Sequence, residues 1–112
     1  MNVIFAFTIK HFICDFLLQF PRHYLNKGTY GKWAGIEHAL IHGIGTSIIC
    51  FMFDLPYYFG ALDFVIHYHI DFFKMAVNAK YKLQPNSAYF WHLLGLDQML
   101  HYLTYWMLLS LR

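Results

Sequence analysis

Prolines, polar loop residues and basic residues divide this chain into four long apolar stretches, about 2–20, 33–53, 57–80 and 87–111. The first ends at Pro21, the second near Asp54 and Pro56, and the fourth starts after Pro85 and Asn86. Each has about 19 residues or more, enough for a helix rising ~1.5 Å per residue to cross ~30 Å of hydrocarbon. The stretches are apolar around most of their circumference. Ile44–Phe53 holds no charged residue, and neither does Tyr102–Leu111. The helices of a His-rich soluble bundle, the competing reading, would need a charged outer face. The pattern predicts one all-α domain: an integral membrane four-helix bundle built from two similar helical hairpins.

Composition agrees with this. Of the 112 residues, 59% are hydrophobic and only 12% charged, against roughly 25% charged in soluble domains. Aromatics at 21% suit lipid-facing and interfacial positions. The mean hydropathy of +0.40 is modest, because eight His and nine Tyr lower it. A net charge of +2 with no basic stripe argues against nucleic acid as a partner. Cys14 and Cys50 lie in apolar runs and read as reduced, space-filling thiols. No secretory signal is expected, since the start lacks a basic region and Lys10 and His11 interrupt the apolar run. The first connection carries Arg22, Lys27 and Lys32, the third carries Lys80 and Lys82, and the one near Asp54 carries no basic residue. Both basic loops are therefore expected on the cytoplasmic side, with both termini outside; Arg112 alone runs against this.

The polar residues inside the spans are the main signal. Asp15, Asp63, Asp71 and Asp97 would together cost on the order of 10 kcal/mol in a bilayer if nothing compensated them. They come with histidines at fixed spacing. His11 and Asp15, His38 and His42, His67 and Asp71, and Asp97 and His101 are each four residues apart, so each pair shares one helix face. With the predicted up-and-down topology, His11, His42, His67 and His101 form one layer and Asp15, His38, Asp71 and Asp97 the next. The chain also reads as duplicated. His11–Phe16 parallels His67–Phe72, and His38–His42 parallels Asp97–His101. Two such hairpins related by an axis along the membrane normal would bring equivalent side chains together at the centre.

Imidazole with carboxylate suits a divalent transition metal, zinc first, with Mn, Fe or Ni as alternatives. The eight paired residues, His11, Asp15, His38, His42, His67, Asp71, Asp97 and His101, are the candidate ligands. Their number suggests two ions sharing a carboxylate. A hydrogen-bonded network without metal, or a haem held by facing histidines, is the alternative; the carboxylates argue against haem. Gln19, Asp63 and Gln98 are expected to support the ligands. Lys74, one turn from Asp71, can line an access route or meet an anionic group. His69 faces away from the His67 stripe, and His23 and His92 sit near the span ends, so none of these three is expected to bind metal. Gly31 and Gly35 form a weak small-residue pattern for a homo-oligomer.

Four motifs, His11-x-x-x-Asp15-Phe16-x-x-Gln19, His38-Ala-Leu-x-His42, His67-x-x-x-Asp71-x-x-Lys74 and Asp97-Gln98-x-x-His101, resemble those of the domain-of-unknown-function 3307 family of small bacterial and phage membrane proteins. The resemblance covers nearly the whole chain. It implies a bacterial cytoplasmic membrane location and these polar positions, and it implies no activity. A looser similarity to membrane-embedded metal hydrolases rests on site chemistry alone. Three functions are open. One is a metal-dependent hydrolase acting on membrane lipid or another amphipathic substrate, with Asp15 or Asp71 as general base and Lys74 neutralising a phosphate. The second is a metal or proton pathway. The third is a non-catalytic phage membrane factor with a structural site.

Overall fold

The computed structural model describes residues 2–21 and 29–112, and there the chain is helical with no strand. Helix α1 (Val3–Phe12) passes into a π-helical turn at Ile13–Leu17; α2 spans Trp33–Phe53, α3 Tyr58–Tyr81 and α4 Ala88–Ser110. Arg22, His23 and Lys27 lie outside the described residues.

Local chemistry sets the ends. Asn2 caps α1, its side-chain oxygen accepting from the Ile4 N–H at 2.7 Å. The sequence pattern carries this first span to residue 20, but helical structure stops at Leu17. There the Leu18 N–H reaches back five residues to the Ile13 carbonyl at 2.8 Å. Gln19 Nε2 then donates to the Asp15 carbonyl at 2.7 Å, satisfying a group that the ending helix leaves open. Pro21 disfavours a helical Phe20, so the run cannot resume at once. At the end of α2, Asp54 adopts a left-handed φ of 56°, tolerated by a short polar side chain, and Pro56 follows.

The helices run up and down and close around a common axis. α2 packs on α1 and α3, and α4 packs on α3 and α1. The α2–α3 contact is the closest. A Cβ on Gly43 would come within 2.9 Å of the Gly60 carbonyl, and one on Gly60 within 2.9 Å of the Gly43 carbonyl. Backbone therefore meets backbone there, as two facing glycines permit.

The interior has two zones. At the end formed by the starts of α1 and α3, Phe7, Ile49, Cys50, Leu55, Phe59 and Leu108 make an apolar plug, with Phe7 stacked on the Tyr105 ring at 4.9 Å. Beyond the plug the buried residues are mostly polar: Lys10, Thr46, Asp63, Lys74, Thr104 and all eight paired His and Asp residues, with Cys14, Ala39 and Tyr68 among them. The surface is the reverse, with Phe5, Phe16, Ile48, Phe51, Phe73, Leu103 and Trp106 exposed. Among the described residues the exposed charges, Lys32, Asp54, Lys80, Lys82 and Arg112, all sit at helix ends or in connections. By average hydropathy and length, α2 is the one described helix that qualifies to cross a membrane.

The glycine contact gives a test. Gly43→Ala or Gly60→Ala should destabilise the bundle by about 1–3 kcal/mol, because backbone must move to admit the methyl. Gly95 lies within α4 with nothing within 4 Å of an added Cβ, so Gly95→Ala should be neutral or stabilise by up to ~1 kcal/mol. Thermal melts of the three variants decide it.

Candidate metal centre

The four-residue spacing puts each pair on the inner face of its helix, and all eight candidate ligands are buried, the five histidines at 1% exposure or less. The rings stack across the axis: His42 on His67 with centroids 3.7 Å apart, and His67 on His101 at 4.0 Å. His11 lies 5.4 Å from both His42 and His101. The predicted histidine layer is therefore present.

The carboxylates sit against it as two similar half-sites. Asp15 Oδ2 is 3.4 Å from His11 Nε2 on its own helix, and its Oδ1 is 3.3 Å from His42 Nε2 on the hairpin partner. Asp71 Oδ2 is 3.1 Å from His67 Nε2 on its own helix, and its Oδ1 is 3.3 Å from His101 Nε2. His38 joins the halves. Its Nε2 lies 3.2 Å from Asp15 Oδ1, 3.4 Å from Asp71 Oδ2 and 3.3 Å from His67 Nε2. Two groups have donor atoms mutually within 4.8 Å: Asp15, His38, His42 and His67, and a second of His67, Asp71 and His101. His67 belongs to both, and its Nε2 has one lone pair, so it serves one ion at a time.

Other residues fall differently from the sequence expectation. Asp63 does not support His67 directly; its Oδ2 accepts from Lys10 Nζ at 2.9 Å and from the Thr46 hydroxyl at 2.6 Å. Lys74 is committed to Asp97, Nζ to Oδ2 at 3.1 Å, and buried with it, so it does not present an open ammonium to a phosphate. Gln98 Nε2 donates to Asp15 Oδ2 at 3.2 Å and to Asp97 Oδ2 at 3.1 Å, beside two of the candidate ligands. Gln19 supports Asp15 through its backbone carbonyl. His11 reaches the cluster but belongs to neither donor group, and Asp97 likewise stays outside both. His69 is exposed and bonded to the Val65 carbonyl and near the Tyr30 hydroxyl, and His92 is exposed.

Lys10, Thr46 and Tyr105 were not among the expected site residues. Lys10 Nζ donates to the Tyr105 hydroxyl at 2.9 Å, and that hydroxyl lies 2.7 Å from His11 Nδ1. Part of this was legible: Thr46 follows His42 by four residues, Tyr105 follows His101 by four, and Asp63 precedes His67 by four, which extends the same stripes by one turn. Lys10 carries no such signal. It reaches the axis because Gly45 leaves a notch where its stem lies, a Cβ there falling 3.0 Å from Lys10 Cγ.

The fold and the site together define a helical bundle whose interior is a buried His/Asp cluster able to hold a metal ion. The chain belongs to the family described as "Protein of unknown function (DUF3307)", whose sequence profile matches residues 3–111. No curated protein and no solved structure matches it.

The Lys10–Asp63 pair generates a test. Removing one partner of a buried ion pair costs about 3–5 kcal/mol, because the other charge stays buried alone. Lys10→Met should destabilise by roughly that amount, and adding Asp63→Leu should recover a large part of it. Chemical denaturation of both variants and of the Asp63→Leu single variant completes the cycle; simple additivity would show that the pair is not coupled.

Proposed function

We propose that this chain is an integral membrane protein that binds a divalent transition-metal ion, zinc in the first instance, inside its four-helix bundle. His38 carries the reading. One imidazole N–H serves one acceptor well, yet Nε2 of His38 has two carboxylate oxygens and another imidazole nitrogen within 3.4 Å. A cation accounts for such convergence. Atoms bound to a tetrahedral ion at ~2.0–2.1 Å lie about 3.3–3.4 Å from one another; in the Asp15, His38, His42 and His67 group the Asp15–His38, Asp15–His42 and His38–His67 separations are 3.2–3.3 Å, and all lie within 4.8 Å. The orientation of the His42 and His67 rings comes from stacking, since their Nδ1 atoms lack the hydrogen bond that usually fixes a ligating imidazole. Charge favours one ion over two. The four buried aspartates against Lys10 and Lys74 leave two negative charges, which a single divalent ion neutralises.

The inverted surface supports the membrane. Average hydropathy counts every residue of a helix equally, so the inward-facing Asp63, Asp71 and Lys74 depress α3, although Ala61, Val65 and Phe73 are what it exposes. A low-dielectric surrounding favours polar groups that pair with one another inside, as Lys10 does with Asp63 and Lys74 with Asp97. The proposed location is a bacterial cytoplasmic membrane, with the Lys80–Lys82 connection inside and Asp54 outside.

For chemistry, we favour hydrolysis of an amphipathic substrate over a through-membrane pathway. Zinc held by Asp15, His38, His42 and His67 can expand to a fifth position for a water that the metal would acidify toward pKa ~7, and Asp71, 3.1 Å from His67 Nε2, is the neighbouring carboxylate that would act as base. The polar interior ends against the plug of Phe7, Phe59 and Leu108, which fits a site approached from one end.

Two measurements test this. Elemental analysis of detergent-purified protein should give one zinc per chain; His42→Ala and His67→Ala should lose it while His69→Ala keeps it. Acidification should release the ion, because ligating imidazoles must be deprotonated. A metal-free wild type, or full zinc in His67→Ala, contradicts the assignment. In intact cells, an impermeant thiol reagent should label Asp54→Cys and spare Lys82→Cys; labelling both defeats the spanning topology.

A further inference from the structure

The metal reading above leaves His11 in an anomalous place: it lies in the histidine layer, fully buried, yet joins neither donor group. Its two ring nitrogens explain why. On one side, the Tyr105 hydroxyl lies 2.7 Å from Nδ1. That oxygen already accepts from Lys10 Nζ, and Lys10 is anchored by Asp63 and Thr46. An ammonium can only donate. The hydroxyl proton is therefore available to Nδ1, and Nδ1 accepts it.

The other side gives the same answer independently. The Gln98 side-chain amide faces two carboxylate oxygens, Asp15 Oδ2 at 3.2 Å and Asp97 Oδ2 at 3.1 Å. Only the NH2 end can sit between two acceptors, so Oε1 is the end that meets His11 Nε2, at 2.9 Å. An oxygen there requires a donor, so Nε2 carries the proton. A nitrogen with a proton has no lone pair for a metal.

We propose that His11 is not a ligand but a positioning residue for Asp15: Lys10 and Tyr105 from one side and Gln98 from the other fix its proton on Nε2. The Gln98 amide donates to Asp15 Oδ2 at 3.2 Å, and the His11 N–H, bonded to Gln98 Oε1, fixes that amide in place with the imidazole itself 3.4 Å from the same oxygen. They hold this oxygen and turn Oδ1 alone toward His38 and His42. Asp15 then binds the ion through one oxygen. The counterpart in the other half, His67, has no such clamp; its Nδ1 is without a partner and its Nε2 is available to the ion. Equivalent positions of the repeat thus take different roles.

The proposal rests on the metal reading for its consequence, but the proton position can be read without metal. The full chain, labelled with 15N-histidine and held in detergent, is followed by NMR before and after adding Zn(II), with His11 assigned through His11→Gln. The expected result is a protonated Nε2 and an unprotonated Nδ1 on His11, unchanged by Zn(II), while His42 shifts on binding. A proton on Nδ1, or loss of the Nε2 proton when Zn(II) binds, overturns the proposal. In the Tyr105→Phe, Gln98→Leu double variant, which removes both determinants, the His11 signals should show both tautomers and the Zn(II) Kd should rise about 10–100-fold at unchanged stoichiometry, the usual cost of losing a ligand's support. His11→Gln, which keeps a donor toward Gln98, should also keep full stoichiometry; loss of the ion from a folded His11→Gln protein would make His11 a ligand after all. Failure of the wild type to take Zn(II) counts against the metal reading, whereas a misplaced proton in the metal-free wild type counts against this one.

Discussion

The structure depends on one constraint: polar groups taken away from water must find partners or carry a large cost. The bundle withdraws four aspartates, two lysines and five histidines at once. A single helix satisfies its own two to four only in part: His11–Asp15, His67–Asp71 and Asp97–His101 approach to 3.1–3.4 Å within one helix, but each pair also takes partners from other helices. Satisfaction requires all four helices to meet at the axis, so the polar interior specifies the assembly more narrowly than apolar packing would. The apolar plug and the Gly43–Gly60 contact supply cohesion, but either would tolerate other registers. The match of Asp15 with His42 and of Asp71 with His101 would not.

The same constraint explains what the sequence revealed. The pairs at four-residue spacing are a local property of each helix, and four of them at corresponding depths left little choice of arrangement. The pairing of the helices and the convergence of the histidines were legible for this reason. Asp63 was misjudged because its neighbour along its own helix is His67, whereas its partner, Lys10, comes from a different helix. Lys10 reads in sequence as an interruption of an apolar run. Its direction is set by Gly45 on α2, which no periodicity in α1 encodes. The early end of the first helix was missed because residues 18–20 are as apolar as those before them, and the π turn has no signature of its own. π turns inside helices recur at functional positions, and this one holds Asp15.

Average hydropathy and burial give different pictures of the helix surfaces, and the difference has a physical source. A transfer scale treats each residue as if it met lipid. Here the residues that lower the score are the ones withdrawn from the surface, and the exposed set is Phe, Ile, Leu, Met and Trp. The same interior therefore lowers the average hydropathy of α3 and α4, whereas α1 falls short of a span by its length of 10 residues.

The internal duplication has a consequence for how such a site can evolve. The shared features are the His–Asp and hairpin-partner His contacts, which recur in both halves. The residues that distinguish the halves fall at non-matching repeat positions: Lys10 where the other half has Ile66, Gln98 opposite Ala39, Lys74 opposite Leu18, and Asp63 opposite Phe7. A symmetric pair of identical hairpins would have to present every residue twice, and two copies of Lys10 or of Lys74 would crowd the axis with uncompensated charge. Joining the hairpins in one polypeptide lifts that restriction. Each half can then be edited separately, and a centre that began with two interchangeable sides acquires a front and a back.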